Sequence, residues 1–138
     1  YRETQNEKYL QQAINIAKFI LHHPNLPEDK IPYWDFDAPN IPDEPRDASA
    51  GAIIASALLE LSQYVNDDKL SKEYQSVASQ QLRTLSSDEY LAAPQTNGGF
   101  ILKHSVGNKP RNSEVDAPLT YADYYYVEAL LRYKKLLQ

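Results

Sequence analysis

A chain of 138 residues is the size of one domain with a single core. Its 14 basic and 19 acidic residues leave a net charge of −5 with no basic run, which argues against a nucleic-acid or anionic-membrane partner. Cysteine is absent, so disulfides and thiolate metal sites are excluded, and no apolar stretch reaches membrane-spanning length.

The elements follow in order. From about Thr4 to His22, Leu10, Ala13, Ile14, Ala17, Ile20 and Leu21 form one apolar stripe at helical spacing, opposite Lys8, Gln11, Gln12, Asn15 and Lys18. Pro24 and Pro27 end this helix. The next stretch, Ile31-Pro32-Tyr33-Trp34-Asp35-Phe36-Asp37-Ala38-Pro39, holds the single tryptophan and runs through Pro42 and Pro45 into Arg46-Asp47. Its prolines forbid a helix, and its aromatic side chains are too costly to leave wet. A packed loop over one end of a helical body is expected.

Asp47 or Ser49 is the natural N-cap of a second helix, Ala50 to about Tyr64, whose body is small or apolar all round and therefore needs partners on at least two flanks. Asn66-Asp67-Asp68 is a short connection, so a third helix returns antiparallel, capped by Asp67 or Asp68 and carrying one stripe from Leu70 to Leu85. Ser86 to Leu119 reads as a second long irregular stretch. It holds a turn at Asn97-Gly98-Gly99, a short extended run Phe100-Ile101-Leu102, and a mixed polar set from Lys103 to Asp116. The last helix, about Thr120 to Leu137, opens with Asp123 in its first turn, where a negative charge suits the dipole, and is again apolar in its front half.

A one-faced helix thus precedes an all-round apolar one in each unit, and Ala57-Leu58-Leu59 recurs as Ala129-Leu130-Leu131. That is the pattern of a two-layer ring of helical hairpins, outer helix then inner, with both long loops at one end. Two hairpins cannot close a ring, so the inner helices need neighbours outside this sequence. The absence of methionine and the opening Tyr1-Arg2-Glu3-Thr4 point the same way, to a piece of a longer polypeptide, with a processed mature start as the alternative.

Candidate chemistry is concentrated in the two loops. Asp35 and Asp37 stand at i and i+2 among aromatics, as a glycosidase pair would, but their closeness on one short loop suits a structural role better, accepting backbone N–H groups or pairing Arg46. Arg46 either binds a carboxylate or pairs Asp47, and the structural pair is favoured. Lys103, His104 and Ser105 form a contact set for an anionic sugar, with an ordinary surface loop as the equal alternative. His22-His23 sits at a helix end, where a proton suits the dipole better than a metal does. Pro39-x-x-Pro42 and Pro42-x-x-Pro45 mimic a polyproline ligand but read as a buried corner, and Tyr124-Tyr125-Tyr126 reads as core plus cleft lining. No phosphate loop, HExxH or nucleophile elbow is present.

Pro32-Tyr33-Trp34-Asp35-Phe36-Asp37-Ala38-Pro39, Pro45-Arg46-Asp47-Ala48-Ser49-Ala50 and Ala57-Leu58-Leu59-Glu60-Leu61 resemble the unsaturated glucuronyl hydrolases, glycoside hydrolase family 88. So do Gly99-Phe100-Ile101-Leu102-Lys103-His104-Ser105-Val106-Gly107, Asn112-Ser113-Glu114-Val115-Asp116 and Tyr121-Ala122-Asp123-Tyr124-Tyr125, in the right order and over nearly the whole chain. The resemblance implies an all-α (α/α)6 barrel, of which this chain supplies about two of six hairpins as the C-terminal portion of a single catalytic domain. It implies hydration of the vinyl ether of a 4,5-unsaturated uronic acid at the non-reducing end of a lyase-cut oligosaccharide, with no metal or organic cofactor. The family's acid/base Asp and its partner lie upstream, as does an Arg-Gly-Gln-x-Trp segment, so no catalytic residue is expected here. By family position Trp34 and Arg46 support the barrel mouth, and Lys103, His104 and Ser105 contact the leaving sugar and any sulfate on it. The expected partners are the oligosaccharide and either the rest of the same barrel or another copy. Related unsaturated rhamnogalacturonyl hydrolases and a non-catalytic helical module are the alternatives.

Overall fold

Each of the first three helices begins on a short side chain that accepts a backbone hydrogen bond. The computed structural model describes residues 1–138. In it α1 (Glu7–Leu21) is capped by Asn6, α2 (Ala48–Leu61) by Asp47 and α3 (Asp68–Leu85) by Asp67. The last helix, α4 (Thr120–Leu136), follows Pro118 and starts without a side-chain cap. The expected boundaries stand to within three residues, α2 starting two residues early because Asp47 rather than Ser49 takes the cap.

The second loop differs from its expectation. Its polar set folds into an antiparallel ribbon, β1 (Ser105–Asn108) against β2 (Ser113–Ala117), joined by a 3-10 turn at Lys109–Arg111. Asn112 closes that turn in the left-handed region at φ 50°. The run Phe100 to Leu102 forms no strand, and Leu102 makes only an isolated bridge with Leu91.

Side-chain bonds fix the helix directions. Ser56 and Glu60 of α2 meet Glu128 and Arg132 of α4, so α2 and α4 run parallel. Ser79 of α3 and Ser86, its C-cap, bond Tyr133 and Tyr126 of α4, which makes α3 antiparallel to both. Tyr1 and Arg2, just ahead of α1, meet Tyr64 and Glu60 at the far end of α2, so α1 is antiparallel too. The arrangement is a parallel inner pair, α2 and α4, with antiparallel α1 and α3 beside it.

The core sits around α2. Ala48, Ala52, Ala55 and Leu59 are fully enclosed, together with Tyr74, Ala78 and Leu85 of α3 and Ala122 and Ala129 of α4. Gly51 is what lets the first loop approach: a Cβ there would stand 2.9 Å from Ile31 Cδ1, and Ile31 is itself fully buried. The inner helices are not covered on every side. Ile53 and Ala57 on α2, and Tyr124, Val127 and Leu131 on α4, lie open, and an apolar groove between α1 and α2 is lined by Ala13, Ile16, Ile20, Ile53 and Ala57. α4 buries only Ala122, Tyr126 and Ala129, so both leucines of the recurring Ala-Leu-Leu triplet are enclosed in α2 and both are open in α4.

Asp47 Oδ1 accepts from Ser49 N at 2.9 Å, from Ser49 Oγ at 2.6 Å and from Val106 N of β1 at 3.2 Å. Asp47→Ala should therefore lower unfolding stability by about 2–4 kcal/mol, one cap plus an orphaned buried donor. Asp47→Asn keeps an acceptor oxygen and should cost less than half as much, as read by urea denaturation.

Candidate functional site at the loop end

The first long loop is a closed neck with an aromatic head. Trp34 N donates to Pro45 O at 3.0 Å and Asp47 N to Pro32 O at 2.8 Å, so residues on either side of the loop pair like a short ladder. Arg46 fills the neck. Its Nε and Nη2 donate to Ile31 O at 2.9 and 2.6 Å, Nη2 pairs with the Asp29 carboxylate, and the guanidinium lies 5.1 Å from the centre of the Tyr33 ring. The ion partner is thus Asp29, not the neighbouring Asp47 nor Asp35 or Asp37, because Asp47 is committed to the helix cap. Asp29 Oδ1 also accepts from Ile31 N at 3.1 Å. From below, α3 holds the same strip, with Gln80, Gln81 and Thr84 donating to the carbonyls of Glu28, Lys30 and Asp29.

The second loop is stitched to the same end. Ala48 N donates to His104 O at 3.0 Å, beside the Asp47 to Val106 bond. Asp123, expected to act on the helix dipole, does more: its two carboxylate oxygens accept from Ile101 N at 2.8 Å and Leu102 N at 2.9 Å. Lys103 is held by its backbone N to Tyr90 O and by its Nζ to Asp88 O, both at 2.8 Å.

These constraints sort the five candidates. Trp34 is half-buried, with Nε1 donating to Glu44 Oε2 at 2.8 Å. Arg46 sits in the loop neck. Ser105 is fully buried and its Oγ has no protein partner, while Lys103 is turned toward the chain before it. His104 is the member of that trio with an open ring: its side chain is 40% exposed, its backbone sits at φ 60°, and Nδ1 lies 2.5 Å from Asp116 Oδ1. A carboxylate on Nδ1 orients the imidazole and leaves Nε2 without a protein hydrogen-bond partner. Asp35 does not face Asp37 across a gap; it accepts the Asp37 N–H at 2.8 Å in a tight turn, and both are exposed. His23 stacks on Phe36 and accepts from Asn25 N. No three His, Asp or Glu side chains converge as a metal site.

Two participants carried no signal in the sequence. Glu44 looked like one more loop acid among prolines, yet its side chain is 6% exposed. Tyr90 followed Ser-Ser-Asp-Glu, a surface-like run, yet it is enclosed beneath His104, with ring centres 6.0 Å apart. Burial pushes the Tyr90 phenol up to about 12, against the opposing pull of the Arg46 cation. This end of the molecule presents an oriented imidazole at His104, a fixed indole at Trp34 and the Lys109 ammonium of the ribbon turn.

No protein-family model matches the chain. It is 52% identical over 137 residues to an unsaturated glucuronyl hydrolase of Formosa agariphila, covering 99% of this chain and 33% of that protein. Among solved structures, an unsaturated glucuronyl hydrolase specific for heparin superposes with a TM-score of 0.95 at 55% identity, over 99% of this chain and 36% of the other. The unsaturated glucuronyl hydrolase of Bacillus sp. GL1, responsible for the degradation of glycosaminoglycan, superposes with a TM-score of 0.85 at 30% identity, over 95% of this chain and 34% of the other. The chain spans about a third of the length of the curated relatives it matches, and its four helices form part of an (α/α)6 barrel.

The Tyr90 environment makes a pH prediction. The folded protein keeps this proton to about 12 whereas an unfolded tyrosine loses it near 10.0, so stability from this group is complete below the lower value and is lost as pH rises through the higher. Urea unfolding should weaken across that window more steeply in the native sequence than in Tyr90→Phe, by up to about 1 kcal/mol per pH unit.

Proposed function

We propose that the chain is the C-terminal third of an unsaturated glucuronyl hydrolase, residues 1–138 being part of a single catalytic domain. The whole enzyme removes a 4,5-unsaturated uronic acid from the non-reducing end of lyase-generated oligosaccharides such as those from glycosaminoglycans. The observation that carries this reading is the agreement of fold and sequence together, a TM-score of 0.95 at 55% identity with both long loops inside the superposed span.

In the proposed reaction an Asp elsewhere in the polypeptide protonates C4 of the unsaturated ring, water adds at C5, and the resulting hemiketal opens to release the neighbouring sugar. This chain supplies no proton donor to that step. Its part is the rim on the leaving-sugar side: His104 Nε2 as a hydrogen-bond donor or acceptor, Trp34 as an apolar face, Arg46 closing the neck of the first loop, and Lys103 and the buried Ser105 shaping the second. The open faces of α1, α2 and α4 support this division of labour. Ile16, Ile53, Ala57, Tyr124, Val127 and Leu131 make an apolar surface that the rest of the same barrel covers.

The test is the loss of ultraviolet absorbance of an unsaturated disaccharide. The full-length protein should turn it over and the isolated 138-residue chain should not; turnover by the isolated chain would contradict the proposal. Full-length activity restricted to pectin-derived fragments would assign it instead to the rhamnogalacturonyl group. Within the full-length enzyme, His104→Ala should raise KM by about five- to tenfold with kcat nearly unchanged, the size of one lost hydrogen bond.

A further inference from the structure

Glu44 has given up almost all its hydration without a close counter-ion. Its side chain is 6% exposed, and a buried carboxylate is costly unless hydrogen-bonded or paired. Oε2 accepts from Trp34 Nε1 at 2.8 Å and Oε1 from Asn40 Nδ2 at 3.2 Å. Both donors belong to the same loop, and neither carries a charge. The charge itself answers to something else. Lys109 Nζ, from the turn of the ribbon, lies 3.9 Å from Oε2.

That distance is an ion pair rather than a hydrogen bond, so the ammonium is steered without being consumed. Its three donors remain available, and the lysine side chain is 34% exposed. Pro110 follows directly in the 3-10 turn, which restricts where the lysine backbone can go. One carboxylate thus touches the indole of the first loop and the cation of the second.

We propose that Glu44 is a positioning residue of the saccharide rim: it sets the plane of Trp34 and holds the Lys109 ammonium beside that indole, so that an aromatic face and a cation from two separate loops meet the leaving sugar as one surface. This rests on the reading of the loop end as the rim of a saccharide cleft. Glu44 itself touches no substrate; it acts through Trp34 and Lys109.

The experiment uses the full-length enzyme with Glu44→Gln, Glu44→Ala, Lys109→Ala and the double variant Glu44→Gln/Lys109→Ala, reading kcat, KM and the thermal midpoint. Glu44→Gln keeps size and the indole acceptor but drops the charge, and should raise KM about three- to tenfold with kcat within about twofold. Glu44→Ala should raise KM further, because Trp34 also loses its acceptor. The double variant should be no worse than Lys109→Ala, since the charge works only through that lysine. An unchanged KM in Glu44→Gln, a loss confined to kcat, or additive effects in the double variant would overturn the proposal. If Glu44→Ala fails to fold, the isosteric Gln variant and its cycle with Lys109→Ala decide alone. If the unsubstituted enzyme consumes no unsaturated uronide, the functional reading fails. The thermal cycle then judges the linkage by itself, non-additive midpoints supporting it and additive midpoints overturning it.

Discussion

The carboxylate of Asp47 is the junction on which this end of the molecule depends. One oxygen accepts the amide of Ser49 in the first turn of α2, the hydroxyl of Ser49 and the amide of Val106 in the ribbon. The residues on either side extend the same junction. Arg46 closes the neck of the first loop through Ile31 and Asp29, and Ala48 N–H binds the carbonyl of His104. Three consecutive residues therefore fix one loop, start one helix and anchor the other loop. A negative charge at a helix N-terminus is favourable in its own right, so the position that caps α2 best is also the position that can hold the ribbon. Without such a junction, two loops of this length would each have to be ordered separately, at a conformational cost per residue that few buried contacts there could offset.

Packing around α2 explains why the junction stands where it does. Alanine, serine and glycine along that helix bring α3, α4 and Ile31 close on its enclosed flanks. The parallel course of α2 and α4 then delivers both N-termini, and with them Asp47 and Asp123, to the same end. Asp123, in the first turn of the other inner helix, likewise holds a loop, with its carboxylate on the amides of Ile101 and Leu102. Farther along the inner pair, Ser56, Glu60, Glu128 and Arg132 lock the register with hydrogen bonds and ion pairs. What remains open is apolar and lies on the inner helices and against α1, which is where a closed ring would have its missing neighbours.

The helices were legible because their signals are local and redundant. Stripe, cap and proline agree at α1 and α3, and the all-round apolar body of α2 announces its burial. The open face of α4 is a different matter: Tyr124, Val127 and Leu131 read as core because only a neighbour outside the sequence decides whether they are covered. The ribbon was hidden for a local reason. Its strands are polar, its turn is Lys109-Pro110-Arg111-Asn112 rather than an Asn-Gly or Asp-Gly pair, and within the second strand Glu114 and Asp116 both take a positive φ of 53°, a break no alternation pattern announces. The site was legible as a region and not as contacts. Sequence spacing placed the tryptophan loop and the His104 loop at one end, but it suggested Asp47 as the partner of Arg46, and the tertiary arrangement chose Asp29. Glu44 and Tyr90 were invisible because burial of a polar group inside a loop leaves no periodic trace.

The claim that one carboxylate makes a single body of two loops is tested most directly by hydrogen exchange resolved at Ala48, Ser49 and Val106. These three amides, one from each side of the junction and one at the cap, should exchange together at the slow rate of the α2 core. Exchange of Val106 at loop rates while Ala48 and Ser49 stay protected would show that the ribbon is ordered independently of Asp47, and the account of a shared junction would be wrong.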